Sequence, residues 1–541
     1  MLTRRRFAAL GAAALASPAW ARTGAGLDLK AFGAVGDGTS DDGPALSRAL
    51  TAAAESGAPL MIPPGRYLIA SPVGRAAPGD PRPALRGGRI EIVGAGADRT
   101  TLVGPPLESR ASGIDPVSRA LLRMVGVERA HIRDLTLDGG VGAAERRAAN
   151  GFSAEDASAL LEIDGAADVR LERVTTTRNR HIRLRDDRTG RLIGRSGPVL
   201  VIGSSNVRVV DCASVYPSFT EGWWIFDCRG VVVERFRHVG PERFNPAATT
   251  SPLNIFGPRT EDVTIRGCDV RNALGSSLNL GGRGRFRVVD NRFAGVIAAE
   301  GGAPGRAAAR PHEGAFGKGI DLGSEHQEDY FPDHPPMRDV EISRNRFENL
   351  FSYSVGITKT AACPLTGFVF RDNEIVHGFR GLMLRGVNEA QIAGCGFRRI
   401  VRYEGADRRA FGVTMSVEQC RGVALENATL DGSARPRLGT LGEGVSDVGL
   451  MISRSDDVRL TGNRFGGYDS YQLLADVGPD DDLRHGGFEV LDNAFEAAPG
   501  EKYQPIAMRL GRSAARRLAR VTVRGNRFAP EIEDRVSVFS G

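Results

Sequence analysis

Short runs of alternating apolar and polar residues recur along most of the chain, separated by Gly, Asn or Asp. Alternation with a period of two predicts β-strands, because successive side chains point to opposite sides of a strand. Many runs end in a tripeptide whose last residue is asparagine or cysteine. These residues are Cys212, Cys268, Asn291, Asn345, Asn373, Cys395, Asn427, Asn463, Asn493 and Asn526. The pattern predicts one structural unit that is repeated many times.

The spacing of this asparagine or cysteine position gives the length of the repeat. The shortest steps are the 23 residues from Cys268 to Asn291 and the 22 residues from Asn373 to Cys395. Two or three short strands fit into such a step, and longer steps correspond to one repeat plus an insertion. This is typical of a parallel β-helix, in which each strand pairs with the coils before and after it. We expect the asparagines to adopt the left-handed conformation of a tight turn and to hydrogen-bond along the stack.

The N-terminal part has a different pattern. The segment from Lys30 to Asp42 is rich in Gly and Asp, and an amphipathic stretch follows from Ala45 to Ala54. Asp41 and Asp42 can cap a helix there, since their oxygens accept hydrogen bonds from its free N–H groups. Residues 60–69, with the sequence LMIPPGRYLI, then return to the strand pattern.

This N-terminal block strongly resembles the start of the pectate-lyase-like superfamily of right-handed parallel β-helices. That superfamily includes pectate lyases, polygalacturonases, rhamnogalacturonases, C5-epimerases and phage tailspikes. The resemblance implies an all-β fold, a single-stranded right-handed parallel β-helix with a short N-terminal capping helix. We expect the N-terminal motif and its helix at residues 22–60, and the β-helix at 61–541 with a loop insertion at about 300–336.

The same fold hosts lyases, hydrolases, epimerases and binding proteins, so it does not define the reaction. The chain lacks the G-H-G and R-I-K motifs of polygalacturonases and the vWiDH-type motif of pectate lyases. No complete catalytic set can therefore be transferred from these families.

The first 21 residues resemble a twin-arginine signal peptide. Arg4, Arg5 and Arg6 precede a short apolar run, and Ala19-Trp20-Ala21 resembles a cleavage site. The twin-arginine translocase is then a partner during export, and the mature protein is expected to be periplasmic or secreted. No apolar run has the length of a membrane span, so none is expected.

Charge argues against nucleic acid as a partner. The chain has 71 basic and 65 acidic residues, and removal of the three signal arginines leaves 68 − 65 = +3. So small an excess is not typical of nucleic-acid binding.

One strand in each repeat carries a distinctive outward column, if the strands are aligned by their inward apolar residues. The column contains Trp224, Asn254, Asn279, Asp321, Gly356, Met383 and Thr414. A parallel column two residues further on contains Phe226, Phe256, Gly281, Gly323, Thr358, Arg385 and Ser416. Aromatic rings stack on sugar rings and carboxamides bond to hydroxyls, so these columns predict a carbohydrate-binding surface.

The largest insertion lies beside this surface. From Asn291 to Asn345 there are 54 residues, and the insertion is rich in histidine and acidic side chains. Long loops on a rigid scaffold often carry function, so we expect this one to fold over Asp321. Its candidate functional residues are His312, Glu313, Lys318, Glu325, His326, Glu328, Asp329 and Tyr330.

These residues suggest an enzyme that cleaves a polysaccharide or oligosaccharide, foremost a lyase acting by β-elimination on a uronate-containing glycan. The predicted catalytic residues are Asp321, Glu325, His326, Lys359 and Arg385. The predicted substrate-binding residues are Trp224, Asn254, Asn279, His312 and Tyr330. Related β-helix lyases use Ca²⁺, and the resemblance implies that Asp321, Glu325, Glu328 and Asp329 are its ligands here.

Two alternatives remain open at this point. A glycoside hydrolase would pair Asp321 with Glu325 or Glu313, since that reaction needs two carboxylates. A non-catalytic glycan-binding protein would use the outward columns for adhesion alone.

Overall fold

The computed structural model describes most of the chain between residues 26 and 539. The described ranges are 26–104, 120–140, 159–178, 197–215, 222–240, 251–273, 275–295, 317–323, 336–350, 352–360, 363–376, 378, 380–398, 413–432, 448–468, 470–476, 487–497, 505–511 and 520–539. Within these ranges, no helix has the length and apolar content needed to cross a membrane.

The described chain winds into a right-handed parallel β-helix, as the repeat pattern predicted. Nearly all strand pairs are parallel, and a full coil contributes one strand to each of three parallel sheets. The coil at Trp223–Phe226, Arg229–Glu234 and Arg237–Val239 is representative. Each of these strands pairs with the corresponding strand of the next coil, for example Trp224 with Asn254.

Sheet 1 has sixteen strands and carries the predicted outward columns. Its strands are Arg75–Ala77, Asp80–Arg86, Leu122–Val125, Leu161–Asp164, Val199–Ile202, Trp223–Phe226, Leu253–Phe256, Ser276–Leu280, Lys318–Leu322, Val355–Thr358, Leu382–Arg385, Val413–Glu418, Val448–Ser453, Tyr471–Asp476, Ile506–Leu510 and Val536–Val538. Only the first two form an antiparallel hairpin.

Sheet 2 follows sheet 1 in each coil. Its strands are Leu27–Asp28, Leu60–Ile62, Arg89–Gly94, Arg129–Asp138, Asp168–Thr177, Ser205–Val210, Arg229–Glu234, Glu261–Arg266, Gly284–Val289, Met337–Ser343, Leu365–Arg371, Val387–Ala393, Arg421–Glu426, Asp456–Thr461, Gly487–Leu491 and Arg520–Arg524. Two of them, Arg129–Asp138 and Asp168–Thr177, are long enough to continue into sheet 3.

Sheet 3 completes the coil. Its strands are Asp37–Asp41, Gly65–Leu68, Thr100–Val103, Ala213–Val215, Arg237–Val239, Asp269–Arg271, Arg292–Ala294, Arg346–Glu348, Glu374–Val376, Gly396–Arg398, Thr429–Asp431, Arg464–Gly466, Ala494–Phe495 and Arg527–Phe528. The inward side chains of all three sheets form one continuous apolar core along the axis.

The predicted amphipathic helix spans Gly43–Ser56, and short 3-10 helices lie at Leu29–Phe32 and Pro530–Ile532. Leu46, Leu50 and Ala53 of the long helix are fully buried against the first coils.

The predicted capping of this helix by Asp41 and Asp42 is only half right. Asp41 accepts a hydrogen bond from the N–H of Gly43, the first helical residue. Asp42 instead accepts hydrogen bonds from the N–H groups of the preceding loop at residues 35 and 36.

The asparagine ladder exists, but the conformation predicted for it was wrong. Asn345 Oδ1 accepts hydrogen bonds from the backbone and side chain of Asn291, and Asn373 Oδ1 accepts the equivalent pair from Asn345. The residue before the ladder position has the left-handed backbone, as at Asp290 and Arg344. The side chains of the ladder asparagines bond to neighbouring coils, while the preceding residue makes the turn.

The position of the turn residue also corrects the assignment of Asn427 to the ladder. Asn427 has a φ of 51° and is the turn residue, so Ala428 occupies the ladder position of that coil. The N–H of Ala428 donates to Asn463 Oδ1 at 2.8 Å, as the other ladder residues do. The cysteines are free thiols, and burial raises the pKa of Cys212, Cys268 and Cys395 to about 12. These thiols fill the ladder position as small, unreactive groups.

Candidate functional site

The outward column of sheet 1 has the predicted register over its first six members. Trp224, Asn254, Asn279, Asp321, Gly356 and Met383 are successive pairing partners. Beyond Met383 the predicted register was wrong by two residues. Met383 pairs with Ser416 rather than Thr414, and Arg385 pairs with Glu418 rather than Ser416. The strand Val413–Glu418 begins two residues earlier than its neighbour, so alignment by apolar residues alone placed it incorrectly.

Asp321 is the buried carboxylate at the centre of this column, with only 4% of its surface exposed. Its Oδ2 atom accepts hydrogen bonds from Lys318 Nζ at 3.0 Å and from the Tyr353 hydroxyl at 2.9 Å. The hydroxyl of Ser276 lies 3.5 Å from the same oxygen. A buried carboxylate requires such partners, because its desolvation is costly. We refer to Asp321, Lys318, Tyr353 and Ser276 as the Asp321 cluster.

Tyr353 reaches Asp321 from the turn before the next strand of sheet 1. Its ring lies over Gly356, where a Cβ atom would be 2.3 Å from Tyr353 Cε2. Only glycine therefore leaves room for the ring at this position of the column. Burial and the negative charge of Asp321 raise the pKa of the Tyr353 hydroxyl well above its ordinary value. Tyr353 consequently keeps its proton at neutral pH and acts as a donor. The ammonium of Lys318 also lies 4.9 Å from the centre of the Tyr353 ring.

A pair of carboxamides continues the column toward the N-terminus. Asn279 pairs with Asp321 in the sheet, and its Nδ2 donates to Asn254 Oδ1 at 2.7 Å. Asn254 is buried and its own Nδ2 donates to the carbonyl of Ser251. Asn279 is half-exposed, so this amide is the accessible member of the pair. The sequence prediction that both residues lie in the same outward column as Asp321 is correct.

Aromatic residues follow the carboxamides on the same face. The rings of Trp224 and Phe256 are 4.9 Å apart in an edge-to-face arrangement. With Phe226, Leu200 and Ile202 they form a small apolar cluster outside the main core. Trp224 is half-buried, and its indole N–H has no hydrogen-bond partner within the described protein. This nitrogen is itself buried, although part of the ring is exposed.

Lys359 and Arg385 lie on the opposite side of Asp321 along the axis. Lys359 is buried, and a Cβ atom on Gly323 would fall 2.2 Å from its Nζ. The ammonium thus lies directly beside Gly323, just beyond the end of the Asp321 strand. Arg385 pairs with Thr358, the residue before Lys359, and is half-exposed. Its guanidinium is 3.5 Å from Gln419 Oε1 and 4.0 Å from Glu418.

The other predicted site residues lie outside the described residues. They are His312, Glu313, Glu325, His326, Glu328, Asp329 and Tyr330. Their assignment to catalysis, substrate binding or metal binding stays a prediction.

The described residues do not by themselves form the predicted Ca²⁺ site. Among them, no group of three or more His, Cys, Asp or Glu side chains could hold a metal ion. Asp321 is the one predicted ligand that is described, and its Oδ2 already faces the ammonium of Lys318. A positive charge therefore stands next to this carboxylate without a metal ion.

Sequence analysis missed two members of the Asp321 cluster, Tyr353 and Ser276, and assigned no role to Lys318. Tyr353 is 32 residues from Asp321 and lies in a turn, so no strand alignment pointed to it. Its signal in the sequence is the glycine three residues later, Gly356, which interrupts an otherwise side-chain-bearing column.

Comparison with known proteins supports the pectate-lyase-like superfamily for the N-terminal region. Residues 27–116 match the family model described as rhamnogalacturonase A/epimerase, pectate lyase-like. A segment of 117 residues, 21% of the chain, is 39% identical to mannuronan C5-epimerase AlgE3 of Azotobacter vinelandii. This segment spans 6% of that relative's length.

Several solved structures are similar to the chain at low sequence identity. The A-module of mannuronan C-5 epimerase AlgE6 from Azotobacter vinelandii is 15% identical. The match covers 93% of this chain and 99% of the A-module, with a TM-score of 0.41. The GH87 α-1,3-glucanase catalytic unit of Streptomyces thermodiastaticus has 14% identity, coverages of 88% and 69%, and a TM-score of 0.49. The surface adhesin PfbA of Streptococcus pneumoniae has 13% identity, coverages of 95% and 92%, and a TM-score of 0.40. These likenesses are too weak to indicate an activity.

Proposed function

We propose that this protein is an enzyme that cleaves a uronate-containing polysaccharide or oligosaccharide by β-elimination. The observation that carries the proposal is the Asp321 cluster, in which one buried carboxylate oxygen binds an ammonium and a phenol. The matched N-terminal family and the epimerase relative, both named for glycan chemistry, support a carbohydrate substrate.

The reaction makes three chemical demands. A base removes the proton from C5, the C5–H electron pair forms the C4–C5 double bond, and the C4–O bond breaks as the leaving oxygen takes up a proton. The uronate carboxylate must also be neutralised, because the negative charge that builds up at C5 is adjacent to it.

The described residues can meet these demands. The phenol of Tyr353, which lies against Asp321 at the centre of the face, is the proposed proton donor to the leaving oxygen. Lys318 provides a positive charge for the uronate carboxylate, with Arg385 as a second cation further along the face. Lys359, buried beside Gly323, is the proposed base. Asp321 positions the phenol and the ammonium of Lys318 rather than reacting itself.

Sugar units on the N-terminal side of Asp321 would contact Asn279 and Trp224. The exposed amide of Asn279 suits sugar hydroxyls, and the ring of Trp224 suits the C–H face of a sugar.

Glycoside hydrolysis is the second candidate, because Asp321 is a buried carboxylate on the same face. It would need a second carboxylate such as Glu325 or Glu313. The immediate described partners of Asp321 are an ammonium and hydroxyls, an arrangement that favours elimination. A Ca²⁺ ion held by Asp321, Glu325, Glu328 and Asp329 belongs to the lyase proposal as an additional source of positive charge.

An activity screen with a panel of acidic and neutral polysaccharides tests the proposal. A lyase produces unsaturated uronates that absorb in the ultraviolet, whereas a hydrolase produces reducing ends without that absorbance. Asp321→Asn should abolish turnover, and Lys359→Ala should lower it by several orders of magnitude. Asp138→Asn is the matched control, since Asp138 is another buried carboxylate, paired with Arg178 on sheet 3.

Two results would contradict elimination. One is reducing ends formed without ultraviolet absorbance, and the other is a near-normal rate for Asp321→Asn. Chelation tests whether the reaction depends on a metal ion. If it does, removal of Ca²⁺ should inactivate the wild-type enzyme.

Export by the twin-arginine translocase to the periplasm or beyond is a further part of the proposal. Residues 1–21 lie outside the described residues, so it depends on the sequence motif alone. Replacement of Arg4 and Arg5 by Lys should retain the precursor in the cytoplasm, as measured by cell fractionation. Unchanged delivery would contradict it.

A further inference from the structure

The outward column of sheet 1 becomes mainly apolar on the C-terminal side of Asp321. After Gly356, the successive pairing partners are Met383, Ser416, Met451 and Leu474. All four are half-exposed. We refer to these four residues as the apolar strip. They present two thioethers, one isobutyl group and a single hydroxyl, in contrast to the indole N–H and the carboxamides on the N-terminal side.

The apolar strip is continuous with the Asp321 cluster. Neighbouring strands are about 4.8 Å apart, so Met383 lies about 10 Å and Leu474 about 24 Å from Asp321 along the axis. Gly356, under the ring of Tyr353, is the only column position between Asp321 and Met383. A glycan chain that follows the axis through the proposed active site would therefore pass over the strip.

An unsubstituted sugar is a poor fit to such a surface. Its hydroxyls would lose water over the thioethers of Met383 and Met451 without gaining hydrogen bonds, and each such loss is unfavourable. A small ester group removes a hydroxyl donor and adds apolar surface. Methionine side chains are flexible and polarizable, and they adapt to small apolar groups.

The neighbouring column keeps a polar edge along the same path. Thr358, Arg385, Glu418 and Ser453 are successive pairing partners two residues beyond the apolar strip. One edge of a bound sugar would thus meet charged and hydroxyl groups while the other meets Met and Leu. This division suits a sugar that carries polar groups on one edge and ester groups on the other.

We infer that the substrate is an ester-substituted glycan, whose acyl or methyl ester groups rest on Met383, Met451 and Leu474. The inference rests on the proposed function, because it places the glycan across the Asp321 cluster. It makes the apolar strip a determinant of specificity rather than of the chemical step.

Binding measured without turnover tests the inference. The Asp321→Asn variant is titrated by calorimetry with one naturally esterified polysaccharide of the screening panel. The same polysaccharide is then titrated after saponification. We expect the esterified form to bind at least several-fold more tightly. Adding Met383→Gln and Met451→Gln should remove this preference while leaving affinity for the saponified form nearly unchanged. Val369→Gln is the matched control, a half-exposed outward apolar residue on sheet 2.

Equal affinity for the two forms, or a preference that survives both methionine substitutions, would overturn the inference. Failure of the proposed function gives a different result. An ester preference that depends on the methionines, in a protein that turns over none of the panel, would contradict the lyase proposal and support the strip as an ester-binding surface.

Discussion

The outward face of sheet 1 and the outward faces of sheets 2 and 3 are built on the same strand spacing but carry charge differently. On sheets 2 and 3, arginine and carboxylate side chains of neighbouring coils pair at the surface. Arg459 with Glu489 on sheet 2 and Arg346 with Glu374 on sheet 3 are examples, and about half of each side chain is exposed. On sheet 1, Asp321 is buried and shares one oxygen between Lys318 and Tyr353.

The difference in burial determines how strongly the charged groups of each face interact. Exposed pairs are screened by water and salt, and each contributes little to stability. A buried carboxylate interacts more strongly with its partners, and burial together with the charge of Asp321 raises the pKa of Tyr353. Burial together with a perturbed proton donor is typical of functional sites, which is why we propose sheet 1 as the active face.

Among the variants that compare these regions, removal of the phenol in the Asp321 cluster should have the largest effect. Tyr353→Phe should lower turnover about 10²- to 10⁴-fold, as expected for the loss of a general acid. Tyr67→Phe is the control, because Tyr67 is also buried and its hydroxyl donates to a carbonyl remote from sheet 1. Similar rates for the two variants on a verified substrate would remove Tyr353 from the mechanism.

The buried residue His238 offers a second test, through the pH dependence of the stability of the folded state. His238 is fully buried, and this burial lowers its pKa to about 3. The unfolded chain binds a proton at this residue below pH 6.5, whereas the folded protein does not. The folded state should therefore lose up to several kcal/mol of stability as the pH falls from about 6.5 to 3. His238→Phe should flatten this dependence in denaturant unfolding, and an unchanged slope would contradict the burial argument.

The asparagine ladder should give a smaller effect on stability. Asn345→Leu breaks hydrogen bonds to two neighbouring coils and should cost about 1–3 kcal/mol. Asn388→Leu, at a half-exposed position on sheet 2, provides the comparison in thermal unfolding. Equal melting temperatures for the two variants would show that the ladder does not hold the coils together.

The smallest effect should come from an exposed pair. Arg459→Ala removes the partner of Glu489 on sheet 2 and should cost less than about 1 kcal/mol, with turnover unchanged. Its stability should also approach that of the wild type at high salt. A loss as large as that of Asn345→Leu would mean that the two kinds of outward face are not energetically different.

The sequence by itself determined the repeat, a coil of two or three strands, and the N-terminal helix. Alternation with a period of two fixes which side chains face the core, because a shift of one residue would expose all of them. The same constraint placed Trp224, Asn254, Asn279 and Asp321 in one outward column, as the structure shows.

Only the tertiary structure decided the features that depend on distances across turns. Thr414 and Ser416 have the same parity, so alternation could not choose between them, and the start of the strand Val413–Glu418 settled the register. Backbone geometry likewise placed the left-handed residue before the ladder asparagine rather than on it.

The contacts of the Asp321 cluster could not be predicted from the strand pattern either. Strand periodicity says nothing about a tyrosine in a turn 32 residues away, and Tyr353 reaches Asp321 because Gly356 leaves room for its ring. Local alternation determines the faces of a strand, whereas the contacts of turn residues depend on how successive coils stack.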